Sequence, residues 1–420
     1  MRTVRTSLFE WQNIWAISKD LWLAVVDNNQ CFIVGPDDEA IRLQVPTTAQ
    51  ENQGATAMTF LEGSTLEIAV GFQNGFIRLF TRNGVQSIAY RCHQAAVKRL
   101  DFHSIRGQRE LWVLFQDDTI AILELEAEKI YVRDGRERQE IKLRKYILQG
   151  QSDVLAVFPC GPSRPTLFQS HARAGMRTLV AVGSDPIIGF YYAGSDQHSV
   201  IHLRHIATAI ASRAAGAVWS FAKSWAWGVE SDGSNEILSS SELDTSIETS
   251  DEIVSIPLSM ASQLPENSRR RSRHSVLSPN GKLVAISDTL GRVLLVDTTS
   301  MMIVRLWKGY RDSQCGWIMD NHETKVSKDL YLTIYSARRG LVEVWRTRHG
   351  PKVFSAAVGS QAHLFTLYGN QNEVRCFIIQ PDANGQGSNM LQVQPDAASK
   401  SIVLKYISQV MFNLNSRKLI

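Results

Sequence analysis

Lys282-Leu-Val-Ala-Ile-Ser-Asp-Thr-Leu-Gly-Arg-Val-Leu-Leu-Val-Asp297 decides the fold. Leu283 to Ile286 and Val293 to Val296 are short apolar runs rich in β-branched residues, and Ser287-Asp-Thr-Leu-Gly291 between them is a polar turn closed by glycine. Glycine tolerates the positive φ that a tight turn requires, so the stretch reads as a β-hairpin. Working outward, the same unit recurs as Trp22–Val26 into Cys31–Val34, Leu66–Val70 into Phe76–Phe80, and Leu111–Phe115 into Ile120–Leu123. It returns as Leu179–Val182 into Ile187–Tyr192, Tyr331–Tyr335 into Leu341–Trp345, and Leu364–Leu367 into Val374–Ile379. Seven hairpins result, with flanking strands such as Val97–Phe102 and Val154–Phe158. Hairpins plus flanking strands at intervals of ~40–50 residues are the signature of a β-propeller with four-stranded blades. The expected fold is therefore all-β, a seven-bladed β-propeller of degenerate WD-like repeats that fills residues 1–420 as one domain. The spacing is irregular and no Trp-Asp dipeptide occurs. A pair of β-sandwiches would accommodate the strands but explains neither their count nor the recurrent turn.

Composition agrees with a large core: 44% of the 420 residues are apolar and 9% aromatic. The five cysteines, Cys31, Cys92, Cys160, Cys315 and Cys376, are odd in number and mostly lie inside apolar runs. That pattern reads as buried thiols in a reducing compartment rather than a disulfide framework or a metal site. No apolar stretch reaches bilayer-spanning length and the N-terminus does not read as a signal peptide, so a cytoplasmic protein is expected.

Residues 200–275 break the strand rhythm and read as an insertion between the fourth and fifth hairpins. Over 202–228, Ile206, Ile210, Phe221 and Trp225 recur at helical spacing beside Trp219 and Trp227. Arg204, Arg213 and Lys223 are the only full charges there. Two expectations follow: a helix docked on its own propeller, or one that lies on a membrane surface or against a partner. Residues 229–273 read as a disordered acidic, serine-rich loop, with eight acids and no Lys or Arg between Glu230 and Glu252. The loop ends at the basic run Arg269-Arg-Arg-Ser-Arg-His274. Basic residues are not interleaved with aromatic stacking positions, which argues against nucleic-acid binding.

Catalytic signatures are missing from the sequence. It contains no phosphate-binding Gly-x-x-x-x-Gly-Lys-Ser/Thr loop, no His-Glu-x-x-His, no paired Cys-x-x-Cys and no Gly-x-Ser-x-Gly elbow. No catalytic residue, cofactor or metal is expected, although a propeller can gather acids and histidines around its axis from separate blades. Two places carry interaction chemistry. Trp307, Lys308, Tyr310, Arg311, Asp312 and Trp317 cluster aromatic and charged side chains around Gly309. Trp, Tyr and Arg dominate interface energetics, so a protein-contact patch is one reading; a crossover whose tryptophans pack between sheets, with Arg311 and Asp312 paired locally, is the other. Ala337-Arg-Arg-Gly340 resembles the Phe-Arg-Arg-Gly motif of phosphoinositide-binding propellers, without its Phe, which makes Arg338 and Arg339 phosphoinositide candidates. A soluble turn that discourages edge pairing is the plainer account of those arginines.

Leu277–Asp297 followed by Val304-Arg-Leu-Trp-Lys-Gly-Tyr-Arg-Asp-Ser-Gln-Cys-Gly-Trp-Ile318 resembles the N-terminal domain of the regulatory, non-catalytic subunit of the Rab-3 GTPase-activating complex. Val70–Val85, Val182–Ala193, the segment from His202 and Arg338–Trp345 with Gly350-Pro351 are similar in kind and order, so the resemblance runs over roughly residues 15 to 365. It implies a regulatory or scaffold subunit that partners a catalytic subunit and Rab GTPases. GTPase activation, and nucleotide exchange on another Rab, would then serve vesicle and endoplasmic-reticulum trafficking, with peripheral membrane association. It also implies that catalytic residues lie on the partner, so Arg311 is not expected to act as an arginine finger. Family members carry a long helical region after the propeller and an acidic extension before it; this chain has neither, and reads as a fragment or a short relative. The alternative function is a phosphoinositide-binding propeller in autophagy or endosomal trafficking.

Overall fold

A computed structural model describes residues 15–410 apart from 19–22, 28–29, 35–39, 44–53, 62–66, 106–107, 126–128, 132–136, 163–176, 195–198, 205–254, 265–269, 321–328, 369–373, 382–387 and 397–400. Among the described residues the chain is almost entirely antiparallel β, with one 3-10 turn, Ala337–Arg339. Seven sheets follow one another along the chain, and six of them have four strands.

The opening hairpin supplies the second and third strands of the fifth sheet. Leu283–Asp288 pairs with Arg292–Asp297 in the register Val284↔Val296 and Ile286↔Leu294. Ser272–Leu277 flanks it on one side and Met302–Lys308 on the other. Every residue of Leu283–Asp288 is buried, so both faces of this strand are covered. That is why the sequence shows an unbroken apolar run there instead of the alternation of a half-exposed strand. The outer strand Met302–Lys308 is mostly exposed and the polar pattern returns.

Successive sheets pack face to face. One apolar layer joins the first and second sheets through Ile33, Phe60, Ile68 and Phe80. Others join the second to the third through Leu79, Val97, Val113 and Phe115, and the third to the fourth through Trp112, Ile122, Leu179 and Tyr191. The fourth meets the fifth through Phe158, Phe190, Ile286 and Leu294. The fifth meets the sixth through Leu295, Trp307, Trp317 and Leu332, and the sixth meets the seventh through Tyr335, Val344, Leu364 and Ile378.

First strands approach one another inside this arrangement. The Arg99 guanidinium lies 6.0 Å from the centre of the Phe158 ring. The Cys315 amide donates to His274 Nδ1 at 3.2 Å, the Leu364 amide donates to Gln314 Oε1 at 2.7 Å, and the Tyr368 hydroxyl donates to the Leu277 carbonyl. The Tyr368 contact joins the seventh sheet directly to the fifth.

The long interruption between the fourth and fifth hairpins falls within the fourth sheet, between Ile188–Ala193 and its last strand Met260–Gln263. His202 to Arg204, expected to open a helix, belong to the strand Ser199–Arg204 paired with Glu137–Leu148 of the third sheet. Ile206, Ile210, Trp219, Phe221, Trp225, Trp227 and the acidic run lie outside the described residues. Finally, the last hairpin forms the first two strands of its sheet, and Ser388–Asp396 and Ser401–Val410 complete it.

Candidate protein-contact surface

Two turns that the sequence singles out separately come together at one end of the fifth and sixth sheets. The first is the crossover 309–312, which leads from the outer strand Met302–Lys308 into Ser313–Met319. Gly291, in the hairpin turn beside it, has φ 76°, and its carbonyl accepts the amides of Gly309 at 2.9 Å and Tyr310 at 2.8 Å. A Cβ at Gly291 would lie 2.5 Å from Arg311 Cγ, so only glycine admits the crossover this close. The second turn is 337–340, where Gly340 (φ 60°) repeats the device and accepts the Val358 amide at 2.8 Å.

Tyr310 links the turns. Its hydroxyl donates to the buried Glu343 carboxylate, and the Arg339 guanidinium lies 5.5 Å from the centre of its ring. Lys352 Nζ donates to the other Glu343 oxygen at 2.9 Å. Burial opposes charge on Glu343, but hydrogen bonds from Tyr310 and Lys352 outweigh it and hold the carboxyl below its usual range. Burial, then the neighbouring carboxylate, push the Tyr310 phenol up to about 12.

The six residues of the expected contact patch divide. Trp307, Tyr310 and Trp317 are buried, and Trp317 is completely enclosed in the layer between the fifth and sixth sheets. These aromatics hold sheets together, as register dictates: Trp307 stands opposite Val293, whose side chain is itself core. Arg305 seals that layer at its rim, 4.5 Å from the Trp307 ring and 5.2 Å from the Trp345 ring, and donates to the carbonyls of Arg346 at 2.9 Å and Gly350 at 2.8 Å. Lys308, Arg311 and Asp312 are exposed. Arg311 and Asp312 form no ion pair with each other, so the expected local pairing is absent, and Asp312 adopts φ 52°.

Arg338 and Arg339 are both exposed at the second turn, but they diverge in role, since Arg339 stacks on Tyr310. Arg292, which sequence reading passed over, pairs across the strands with Lys308 and so joins the same surface. Among the described residues no carboxylate lies within ion-pair distance of Arg292, Lys308, Arg311, Arg338 or Arg339. Asp288 in the hairpin turn is buried and pairs with Arg270, which leaves Asp312 as the one exposed acid in these turns, so five cations at one end make this an electropositive surface on a rigid base.

Away from this surface, one buried acid joins neighbouring sheets. Glu110 is completely buried and accepts from Arg177 at 2.7 and 2.8 Å and from Trp112 Nε1 at 3.0 Å. Among the described residues no group of three or more His, Cys, Asp or Glu is placed to hold a metal ion, and no helix is long and apolar enough to cross a membrane.

A family model described as the Rab3 GTPase-activating protein regulatory subunit N-terminus matches residues 40–365. The Rab3 GTPase-activating protein regulatory subunit of Caenorhabditis elegans is 34% identical over 100 residues, covering 24% of this chain and 7% of that relative's length. A chain from a crystal structure of the mitotic checkpoint complex aligns over 97% of this chain and 90% of its own length, with 11% identity and a TM-score of 0.47.

Proposed function

The chain belongs to the Rab3 GTPase-activating protein regulatory subunit family, and on that premise we propose that it is a non-catalytic platform which holds a catalytic subunit and Rab GTPases together. In this reading the seven sheets are the blades of a closed propeller, with the seventh returning to the first. Sequential face-to-face packing and the contacts among first strands support that closure. The observation that carries the platform role is the cationic surface at 292, 308, 311, 338 and 339, placed on two strand ends and on turns whose backbone is fixed from behind by Gly291 and Gly340. A rigid scaffold with charge presented on its loops is suited to recognition. Catalytic residues belong to the partner subunit in this scheme, the chain works in the cytoplasm, and its peripheral association with vesicle or endoplasmic-reticulum membranes follows from the company it keeps. Segment 202–228, whose first residues His202–Arg204 lie in a strand, is the candidate for direct contact with lipid or with a partner.

The test is a pull-down with the chain as bait against the catalytic subunit of a Rab GTPase-activating complex and GDP-loaded Rabs. Enrichment of the catalytic subunit supports the platform role. The competing reading, a phosphoinositide-binding propeller, takes its support from the exposed Arg338 and Arg339. It wins if neither protein is enriched while vesicle binding is lost in R338A/R339A.

A further inference from the structure

We propose that Arg292, Lys308, Arg311, Arg338 and Arg339 form a docking surface for an acidic segment of a partner protein. The inference rests on the platform reading and specifies its contact.

None of the five has a carboxylate within ion-pair distance among the described residues, although Arg339 lies near enough to Glu343 to help hold its carboxyl down. Several cations elsewhere on the fold are paired: Lys98 meets Asp153, Arg99 meets Asp101, and Arg348 meets Asp297. Like charges gathered without partners repel one another, a cost that an incoming anion relieves. Two of them are also held in place: Arg311 packs against Gly291 and Arg339 stacks on Tyr310. The buried carboxylates beneath, Glu343 and Asp288, are already engaged, by Tyr310 and Lys352 and by Arg270. For those two side chains little ordering remains for binding to impose.

Distribution favours a peptide over a lipid phosphate. Arg292 and Lys308 sit on adjacent strands, Arg311 on the crossover, and Arg338 and Arg339 on the next sheet's turn, so the charge runs along an edge instead of converging on one point. Arg338 and Arg339 do not form a pincer, because Arg339 is laid over Tyr310. Leu290, 39% exposed in the hairpin turn, and Leu306, 41% exposed two residues before Lys308, are large apolar side chains beside these cations. Set apart on the hairpin turn and on the outer strand, they offer contacts for apolar residues interspersed among acids.

The experiment titrates the full chain into a fluorescein-labelled Glu-rich peptide of about ten residues, with a Gln peptide of equal length as control. Parallel samples use phosphatidylcholine vesicles with and without phosphoinositide. The proposal expects anisotropy to rise with the Glu peptide alone and affinity to fall about tenfold or more between ~50 and ~300 mM salt. R311E/R338E/R339E should weaken binding at least about tenfold, while K282E, exposed at the opposite end of the same sheet, leaves it unchanged. If the triple variant fails to melt cooperatively, R338E, whose side chain is exposed, decides alone. Absence of peptide binding at ~50 mM salt, binding indifferent to these substitutions, or capture by phosphoinositide vesicles without peptide binding overturns the proposal. Loss of the peptide site with intact enrichment of the catalytic subunit removes this surface but not the platform role; the opposite pair of results removes the role and leaves the surface.

Discussion

Glu110→Gln tests whether the sheets are joined by buried charge as well as apolar packing. Glu110 lies on Gln108–Phe115 of the third sheet, and Arg177 lies on Arg177–Val182 of the fourth. The carboxylate is fully buried, and it is the only ion-pair partner of Arg177 among the described residues. Arg144, 3.5 Å from the same carboxylate, keeps its pair with Glu124. The substitution preserves volume but strands Arg177, 19% exposed, opposite a neutral amide. Removing one partner of a buried pair costs about 3–5 kcal/mol, because the remaining charge is uncompensated. An unfolding entropy of ~2.1 cal/mol/K per residue over 420 residues gives ~0.9 kcal/mol/K, so the midpoint should fall by about 3–6 °C if the sheets melt together. Calorimetry on wild type, E110Q, R177M and E110Q/R177M measures the coupling. The double variant should recover at least about half of the E110Q loss, since neutralising both partners removes the orphaned charge. A shift below about 1 °C for E110Q, or a double variant that loses the sum of the singles, refutes the argument.

Tyr310→Phe removes the hydroxyl donor to buried Glu343 and should cost about 1–3 kcal/mol in a denaturant titration, with Y310F/E343Q costing less than the sum. Gly316→Ala places a Cβ 2.7 Å from Cys376 Sγ and 2.8 Å from Thr366 Oγ1 between the sixth and seventh sheets; about 1–3 kcal/mol of destabilisation is expected, and an unchanged melting curve would show that the layer yields. Burial pushes the Cys31, Cys160 and Cys376 thiols up to about 12 and raises Cys92 and Cys315 as well. A disulfide reagent at neutral pH should therefore leave the four buried thiols, Cys31, Cys92, Cys315 and Cys376, unlabelled before unfolding, and stability should decline as pH rises above the unfolded thiol value of ~8.5, where only the unfolded chain ionises. His274 is held neutral by burial and then by Arg99, its pKa lowered to about 4. The unfolded imidazole takes up its proton near ~6.5, so stability should fall as pH drops from there to about 4, and His274→Gln should flatten that part of the profile.

Apolar inner strands were legible in the sequence because each is covered on both faces. Leu179–Val182, Leu283–Ile286 and Tyr331–Tyr335 could be read as continuous apolar runs for that reason alone. Polar strands lack this signal even when paired on both edges. Glu137–Leu148 begins Glu-Arg-Gln-Glu-Ile-Lys-Leu-Arg-Lys, and its strand character comes from pairing with Thr119–Glu124 on one side and Ser199–Arg204 on the other, not from its own composition. Ser388–Asp396, with Gln, Pro and Asp in its length, is an inner strand of its sheet and equally silent. Glu110 shows the limit most plainly. Within Gln108-Arg-Glu it has the look of a surface acid, and only Arg177, 67 positions away, makes its burial tolerable.

At the candidate surface, composition located the right turns but not the roles of their residues. Trp307 and Trp317 drew notice as aromatics near charge, yet facing is set by register, and Trp307↔Val293 turns that side chain into the layer between sheets. The contact of Arg339 with Tyr310 spans two sheets, so the spacing of neither turn implies it. What unites them is stacking order. In three of the described sheets the second turn lies beside the crossover that follows the fourth strand: Gly291 and Gly340 each accept amides from that crossover, and Gly75 accepts the Cys92 amide at 3.2 Å. In the fifth and sixth sheets this brings the turns together, where a charge on one adds to its neighbour. Arg311, Arg338 and Arg339 are ordinary turn residues taken singly. Their concentration at a single edge is a property of the fold, and it is there that substitution should separate binding from stability.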